Sequence, residues 1–233
     1  MDTGVIVDNF DFMMGGLGLT VQLAAITIAC GLILGTLLAS ARLSSRFWLY
    51  WPATLYIHFF RGLPLILVIF WLYFLFPVIT GKSMGAFAAA IVSFIVFEAA
   101  YFAEIIRAGI QSIPKGQSMA ARASGLTNVQ TARYVILPQA LRNMVPALVT
   151  QSVVIFQDTS LAYVIGLREF LRRVNLVDAR EARSVELYLF AGVVYFAVCS
   201  AGSLASQRLE RGRQRTFALD RDSACQSVVR QGA

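Results

Sequence analysis

The chain has 233 residues, 58% of them hydrophobic, with a mean hydropathy of +0.67 and a formal net charge of +7. That apolar share exceeds what an ordinary soluble domain carries, so water is not its main solvent. The positive charge does not point to nucleic acid, because no aromatic side chains interleave the tail arginines from Arg208 to Arg215 as a stacking surface requires; lipid headgroups or simple solvation account for them.

A helix needs about 20 mostly apolar residues to cross a hydrocarbon core roughly 30 Å thick. Five such runs are present: Leu17 to Ala41, Leu55 to Thr80, Met84 to Ile106, Val145 to Leu167 and Leu187 to Gln207. They predict one all-α membrane domain over residues 1–233, with a polar loop at 111–143 and a basic tail at 208–233. The first run is too long for a signal peptide and follows Asp2, Asp8 and Asp11 with no Lys or Arg before it, so it reads as a retained span. Along it Thr27, Gly31, Gly35 and Ala39 put small residues on one face, which lets another helix approach closely. Packing within the subunit is preferred to a dimer seam.

The second run begins with Phe60, Arg61, Gly62, Leu63 and Pro64, where a cation and a helix-breaking pair interrupt the apolar pattern. Arg61 lies near one end, so it either snorkels to the interface or lines a transport path. His58 is the only histidine and cannot assemble a metal site alone; it reads as interfacial. Gly81, Lys82 and Ser83 imitate the end of a phosphate-binding loop, but Phe76 stands where that loop needs Gly. The tripeptide is a tight turn between spans, and no ATP site follows from it.

Carboxylates inside the hydrocarbon are costly unless they face water or a partner, which makes Glu98, Glu104 and Asp158 functional candidates. At about 1.5 Å per residue, Glu98 and Asp158 lie roughly 20 Å into their helices, whereas Glu104 is near a boundary with Arg107 at ion-pair spacing. A structural role is expected of Glu104. Glu98 stands three residues before Tyr101, so carboxylate and phenol share a side. Asp158 falls in the polar cluster Gln157, Asp158, Thr159, Ser160, which reads as a wet cavity or a polar helix seam. Substrate-path and structural roles both stay open for Glu98 and Asp158.

Between the third and fourth runs, the loop at 111–143 reads as two short helices. Pro114 suits the first turn of a helix running from Lys115 through Ser124, Gly125 ends it in a left-handed conformation, Thr127 with Gln130 forms a capping box, and Pro138 stops or bends the second helix. Ala120, Ala121 and Ala123 offer small surfaces for another protein. Cys30, Cys199 and Cys225 make neither a disulfide spacing nor a metal cluster. Counting Lys and Arg on either side of five spans favours an N-terminus outside and a C-terminus inside, with Arg42, Arg46, Arg61, the loop cations and the tail arginines on the cytoplasmic face.

Met119, Ala120, Ala121, Gly125 and the run Val135, Ile136, Leu137, Pro138 resemble the cytoplasmic loop signature of binding-protein-dependent ABC permeases. Met119 departs from it, standing where that family usually has Glu. Phe60 to Leu65, Glu98 to Gln117, Val135 to Arg142 and Phe156 to Leu161 extend the resemblance to the polar amino-acid uptake subfamily, within it to glutamate and aspartate permeases. The resemblance implies a type I importer-like subunit of five helices in the bacterial inner membrane, itself no enzyme. It would pair with an identical or paralogous permease, two ATPase subunits that hold ATP and Mg, and a periplasmic binding protein. It also implies that Lys115, Met119, Ala120, Ala121, Gly125, Leu126 and Pro138 couple the chain to the ATPase. Arg61, Glu98, Tyr101, Asp158, Thr159 and Ser160 are the substrate-path candidates. The alternative is an ion-coupled secondary transporter using Glu98 and Asp158, though the halves of the sequence show no repeat such as many of those folds carry.

Overall fold

The structure, a computed structural model of the chain, describes residues 4–204. After a turn of helix at Gly4–Asp8, the elements are α1 Phe10–Arg42, α2 Phe47–Arg61, α3 Leu65–Thr80, α4 Ala86–Gln111, α5 Lys115–Ala123, α6 Asn128–Ile165, α7 Phe170–Glu181 and α8 Ser184–Leu204. Of these α1, α4, α6 and α8 are each long and apolar enough to cross a membrane, and α2 with α3 qualify only as a bent pair. The arginine-rich tail, Gln207 and Cys225 lie outside the described residues.

The most extensive pair is α1 with α4. Thr27, Gly31, Gly35 and Ala39 are all buried in that seam. A Cβ on Gly35 would stand 2.6 Å from the Phe102 Cβ and 3.0 Å from the Ala99 carbonyl oxygen, and one on Gly31 3.3 Å from the Phe102 ring. The small-residue stripe therefore packs inside the chain, and the two backbones close on each other because nothing but hydrogen stands between them.

The second expected span is not one helix. Gly62 donates its N–H back to the His58 carbonyl at 3.1 Å, Pro64 is extended at φ −66° and ψ 134° and brings no N–H, and the axis turns by 104° between α2 and α3. Further along, the structure accommodates prolines instead of breaking at them. A π turn at Trp71–Leu75 precedes Pro77 in α3, and another at Thr131–Ile136 precedes Pro138 in α6. Each wider turn redistributes the carbonyls that the missing N–H leaves unbonded. Pro138 thus neither stops nor separates a second loop helix: the chain runs on from the Thr127–Gln130 capping box to Asp158, then tightens to a 3-10 segment at Thr159–Ile165 that ends on Gly166 at φ +79°.

At the end of the bundle away from α5, a helix that hydropathy does not announce caps it. α7 buries Phe170, Val174 and Val177 against Met13 of α1 and Leu187 and Ala191 of α8, which also draws the start of α1 back from Leu17 to Phe10. Its N-cap is Glu169, fully buried, whose carboxylate accepts from the Leu171 N–H at 2.8 Å and the Arg172 N–H at 2.6 Å. Thr20 accepts from the Phe170 N–H, and the Tyr195 hydroxyl lies beside the carboxylate without reaching hydrogen-bond geometry. Burial pushes the Glu169 carboxyl up to about 7, against the opposing pull of the two backbone N–H bonds. Since the folded value lies above the ordinary carboxyl value of 4.5, the stability it lends is full below about 4.5 and is lost as pH rises through about 7. Thermal melts in detergent at about pH 5 and pH 8 should show this loss, and Glu169→Gln should flatten it; an unchanged pH response in that variant assigns the effect to another group.

Candidate functional site

Near the α5 end of the bundle, the ion pairs among the described residues all meet at Glu104. The expected partner Arg107 reaches it from one turn on, with Nε donating at 3.1 Å, and Arg42 at the end of α1 joins it. Arg61, at the end of α2, stands 3.9 Å away. Three guanidinium groups around one carboxylate leave surplus positive charge. It rests mainly on Arg61, whose side chain is 39% exposed and sits over the Tyr101 ring at 5.6 Å.

Nearly two turns deeper along α4, Glu98 is fully buried. Its Cβ lies 3.7 Å from where a side chain on Gly31 would begin, so it projects between α1, α4 and α6. Gln151 of α6 donates from Nε2 to its Oε2 at 2.8 Å; Oε1 has no hydrogen-bond partner, and neither does the buried hydroxyl of Thr27 in the same seam. Gln151 is not among the residues the sequence singles out, although it stands two helical turns before Asp158 and hence on the same face. Asp158 itself is half-buried where α6 changes from α to 3-10 winding, within electrostatic reach of both Glu98 and Tyr101.

Arg61, Glu98, Tyr101 and Asp158 are therefore neighbours, contributed by α2, α4 and α6. Thr159 is not free to join them: it is fully buried and its hydroxyl donates to the Phe156 carbonyl at 2.7 Å. Ser160 is half-buried on the same turn. The cluster pairs one exposed cation with one incompletely buried carboxylate across an aromatic ring, an arrangement suited to a zwitterion and lacking any nucleophile with its base.

The second candidate surface is α5. Its end follows a Schellman pattern, with the Gly125 N–H bonded to the Arg122 carbonyl at 3.0 Å and the Leu126 N–H to the Ala121 carbonyl at 3.2 Å, while Gly125 takes φ +87°. Lys115, Ser118, Met119 and Arg122 surround a shallow depression on the outer side, and Met119 is 67% exposed. Ala120 is exposed, Ala121 is buried against the chain, and Leu126 is half-buried. The base is braced: Asn143 of α6 donates to the Ser112 hydroxyl at 2.8 Å, and Gly109 lets α4 press on Met144 and Ala140. These contacts join the start of the α5 segment to α4 and α6, the helices that hold Glu98, Tyr101 and Asp158.

Residues 31–215 match the family model described as the binding-protein-dependent transport system inner membrane component. Over 217 residues the chain is 42% identical to the glutamate/aspartate import permease protein GltK of Escherichia coli O157:H7, covering 90% of this chain and 97% of that protein. It is 32% identical to the arginine transport system permease protein ArtQ of Bacillus subtilis (strain 168), over 91% of this chain and 96% of that one. Among solved structures, that of an amino acid ABC transporter with histidines is similar at a TM-score of 0.86 and 31% identity, covering 91% of this chain and 98% of the other.

Proposed function

The chain belongs to the family of binding-protein-dependent transport system inner membrane components, and on that premise we propose that it passes an acidic amino acid, glutamate or aspartate, across the membrane. It is a permease subunit of an amino-acid ABC importer and an integral inner-membrane protein. The 42% identity to GltK over nearly all of that protein supports the substrate. The structural observation that carries it is the unspent charge of Arg61, whose nearest carboxylate, Glu104, is already neutralised by Arg42 and Arg107. Arg61 would receive a substrate carboxylate and Asp158 its ammonium, with Tyr101 between them. Glu98, sealed among three helices, supports their packing.

In this reading the N-terminus is periplasmic and the C-terminus cytoplasmic, so that α5 and the Glu104 cluster face the cytosol. A second permease, identical or paralogous, stands beside the chain, two ATPase subunits holding ATP and Mg lie beneath α5, and a periplasmic binding protein delivers substrate above. ATP-driven closure of the ATPases moves α5 as a lever. Vectorial transport further requires that nucleotide and loaded binding protein together favour the outward-open state.

The test is uptake of radiolabelled glutamate by proteoliposomes holding the whole transporter, with its binding protein supplied. Asp158→Ala and Arg61→Gln should each lower uptake by about tenfold or more, the worth of a charge-assisted hydrogen bond, while the complex still assembles and hydrolyses ATP. Normal uptake by either variant removes that residue from the path. Transport that ran without the ATPase subunits and collapsed with the proton gradient would sink the importer reading altogether.

A further inference from the structure

The sharp turn between α2 and α3 leaves a helix whose outer face, among the described residues, is covered only at Phe59, where the Trp71 ring of α3 stacks at 6.3 Å. Phe47, Trp48, Trp51, Leu55 and Phe59 are all exposed, Trp48 to 85% and Leu55 to 70%, and the first four with Pro52 line an apolar depression. Ala53 and Ile57 form the opposite, buried face.

The direction of α2 follows from what it touches. Tyr50 lies within electrostatic reach of Arg107, Ile57 packs on Ala103 and Ile106, and Arg61 meets Glu104 and Tyr101. About 16 Å of α2 therefore meets only about 9 Å of α4, at 1.5 Å per residue. Beyond that stretch the Tyr56 hydroxyl donates to the Val96 carbonyl, and the Phe60 ring packs against the apolar cluster that includes Phe97. By contrast α3 runs alongside α4 in the opposite sense, with Leu65, Val68 and Ile69 packed on Ala89, Ala90, Phe94 and Phe97 and the Val68 carbonyl 3.5 Å from Ser93 Oγ, which donates to the Ala89 carbonyl. α4 is an apolar spanning helix, so a neighbour that crosses it at 104° to α3 lies close to the membrane plane.

Its level is marked by Arg42, Glu104 and Arg107, the charged groups at the end of the spans. Arg46 is exposed at its N-cap, and the sequence contains no Asp or Glu between Asp11 and Glu98. We propose that α2 is an in-plane amphipathic anchor seated at the headgroup boundary of the cytoplasmic leaflet, with its aromatic face in the acyl region and Arg46 on anionic phospholipid. Tryptophan and tyrosine favour this boundary, and a helix with one aromatic-apolar face and flanking cations binds it. The crossing itself is then α3, whose 16 residues from Leu65 to Thr80 measure about 24 Å against a core of roughly 30 Å, so the bilayer thins beside it. The choice of the cytoplasmic leaflet rests on the orientation proposed above; the in-plane placement does not.

Of the chain's three tryptophans, Trp48 and Trp51 report α2, and Trp71 reports α3 where its ring stacks on Phe59. Single-tryptophan variants of the full chain would be assembled into the complete transporter with a tryptophan-free ATPase background. Each would be reconstituted in vesicles of phosphatidylcholine with or without phosphatidylglycerol, the lipids brominated either near the headgroup or near the chain end. Retained uptake certifies each fold, and Trp→Tyr replaces Trp→Phe as the background substitution where uptake fails. Trp48 and Trp51 should be quenched at least twofold more by shallow than by deep bromines. Shallow-brominated phosphatidylglycerol should quench Trp48 at least twofold more than phosphatidylcholine at equal mole fraction. Deep quenching of Trp51 would restore a straight span, and acrylamide quenching without lipid quenching would put α2 in the cytosol. Protection from both quenchers would show a second permease subunit covering the face. Each of those three outcomes overturns the anchor, and equal quenching by the two lipids overturns its anionic preference.

Discussion

Gly35→Leu is expected to leave little folded protein, the largest effect on stability that a single side chain here produces. A Cβ at this position meets the Phe102 Cβ at 2.6 Å, the Ala99 carbonyl oxygen at 3.0 Å and the Ala103 nitrogen at 3.1 Å. Two of the three obstacles are backbone, so no rotamer change relieves them, and the α1–α4 pair must separate. Overpacking a well-packed core costs about 1–3 kcal/mol and more where nothing can yield. Because this seam also buries Thr27, Gly31, Ala39 and Glu98, the loss spreads along the bundle. Gly18→Leu is the matched control on the same helix, where a Cβ meets nothing within 4 Å. Fluorescence-detected size-exclusion and melting in detergent should show an aggregated or strongly destabilised Gly35→Leu beside a native Gly18→Leu. Equal melting temperatures would mean that the helices are not in contact as described.

That seam is legible in the sequence because spacing alone places four small residues on one face. Hydropathy likewise locates the apolar runs, since a membrane leaves each spanning helix little choice of composition. What hydropathy does not see is direction. Leu55 to Thr80 is apolar but for His58 and Arg61, and an in-plane aromatic helix followed by a short crossing has the same composition as one long span. Gly62 and Pro64 mark an interruption, but a proline in a membrane helix either breaks the axis or is absorbed by a wider turn, and the choice depends on packing. Pro77 and Pro138 take the second course, Pro64 the first. α7 has a readable signal, since Phe170, Val174 and Val177 repeat at helical spacing; its many charges disguise it as loop.

The polar cluster is legible residue by residue but not as pairs. Glu98 and Asp158 stand out because carboxylates in hydrocarbon need a reason. Their depth does not reveal that Glu98 faces the α1 seam with Gln151 as its donor, whereas Asp158 remains half-open. Thr159 looks available in the sequence and is committed to the backbone of its own turn. Glu104 pairs with Arg107 as its spacing predicts, yet its meeting with Arg42 and Arg61 depends on where α1 ends and where α2 stops. No local spacing encodes that three-helix junction.

Gly125→Val is expected to separate ATP hydrolysis from transport. Gly125 holds φ +87°, and a Cβ added there would meet nothing within 4 Å, so the obstacle is conformational and not steric crowding by neighbours. A β-branched residue in the left-handed region costs at least about 1–2 kcal/mol, and the cheapest escape is to give up the bond between the Leu126 N–H and the Ala121 carbonyl. α5 would then lose its fixed exit toward α6, while its entry stays braced by Asn143 and Ser112. A lever with one loose end still occupies its partner's surface but no longer moves α6 in step. The complex should therefore assemble and hydrolyse ATP, with glutamate carried per ATP falling by about tenfold or more. Asn tolerates the left-handed region far better than Val, so Gly125→Asn should recover much of the coupling. Copurification of the ATPase separates this outcome from failed assembly. If the valine variant transports as many molecules per ATP as the unaltered chain, α5 does not act as a rigid lever, and coupling must enter through another contact.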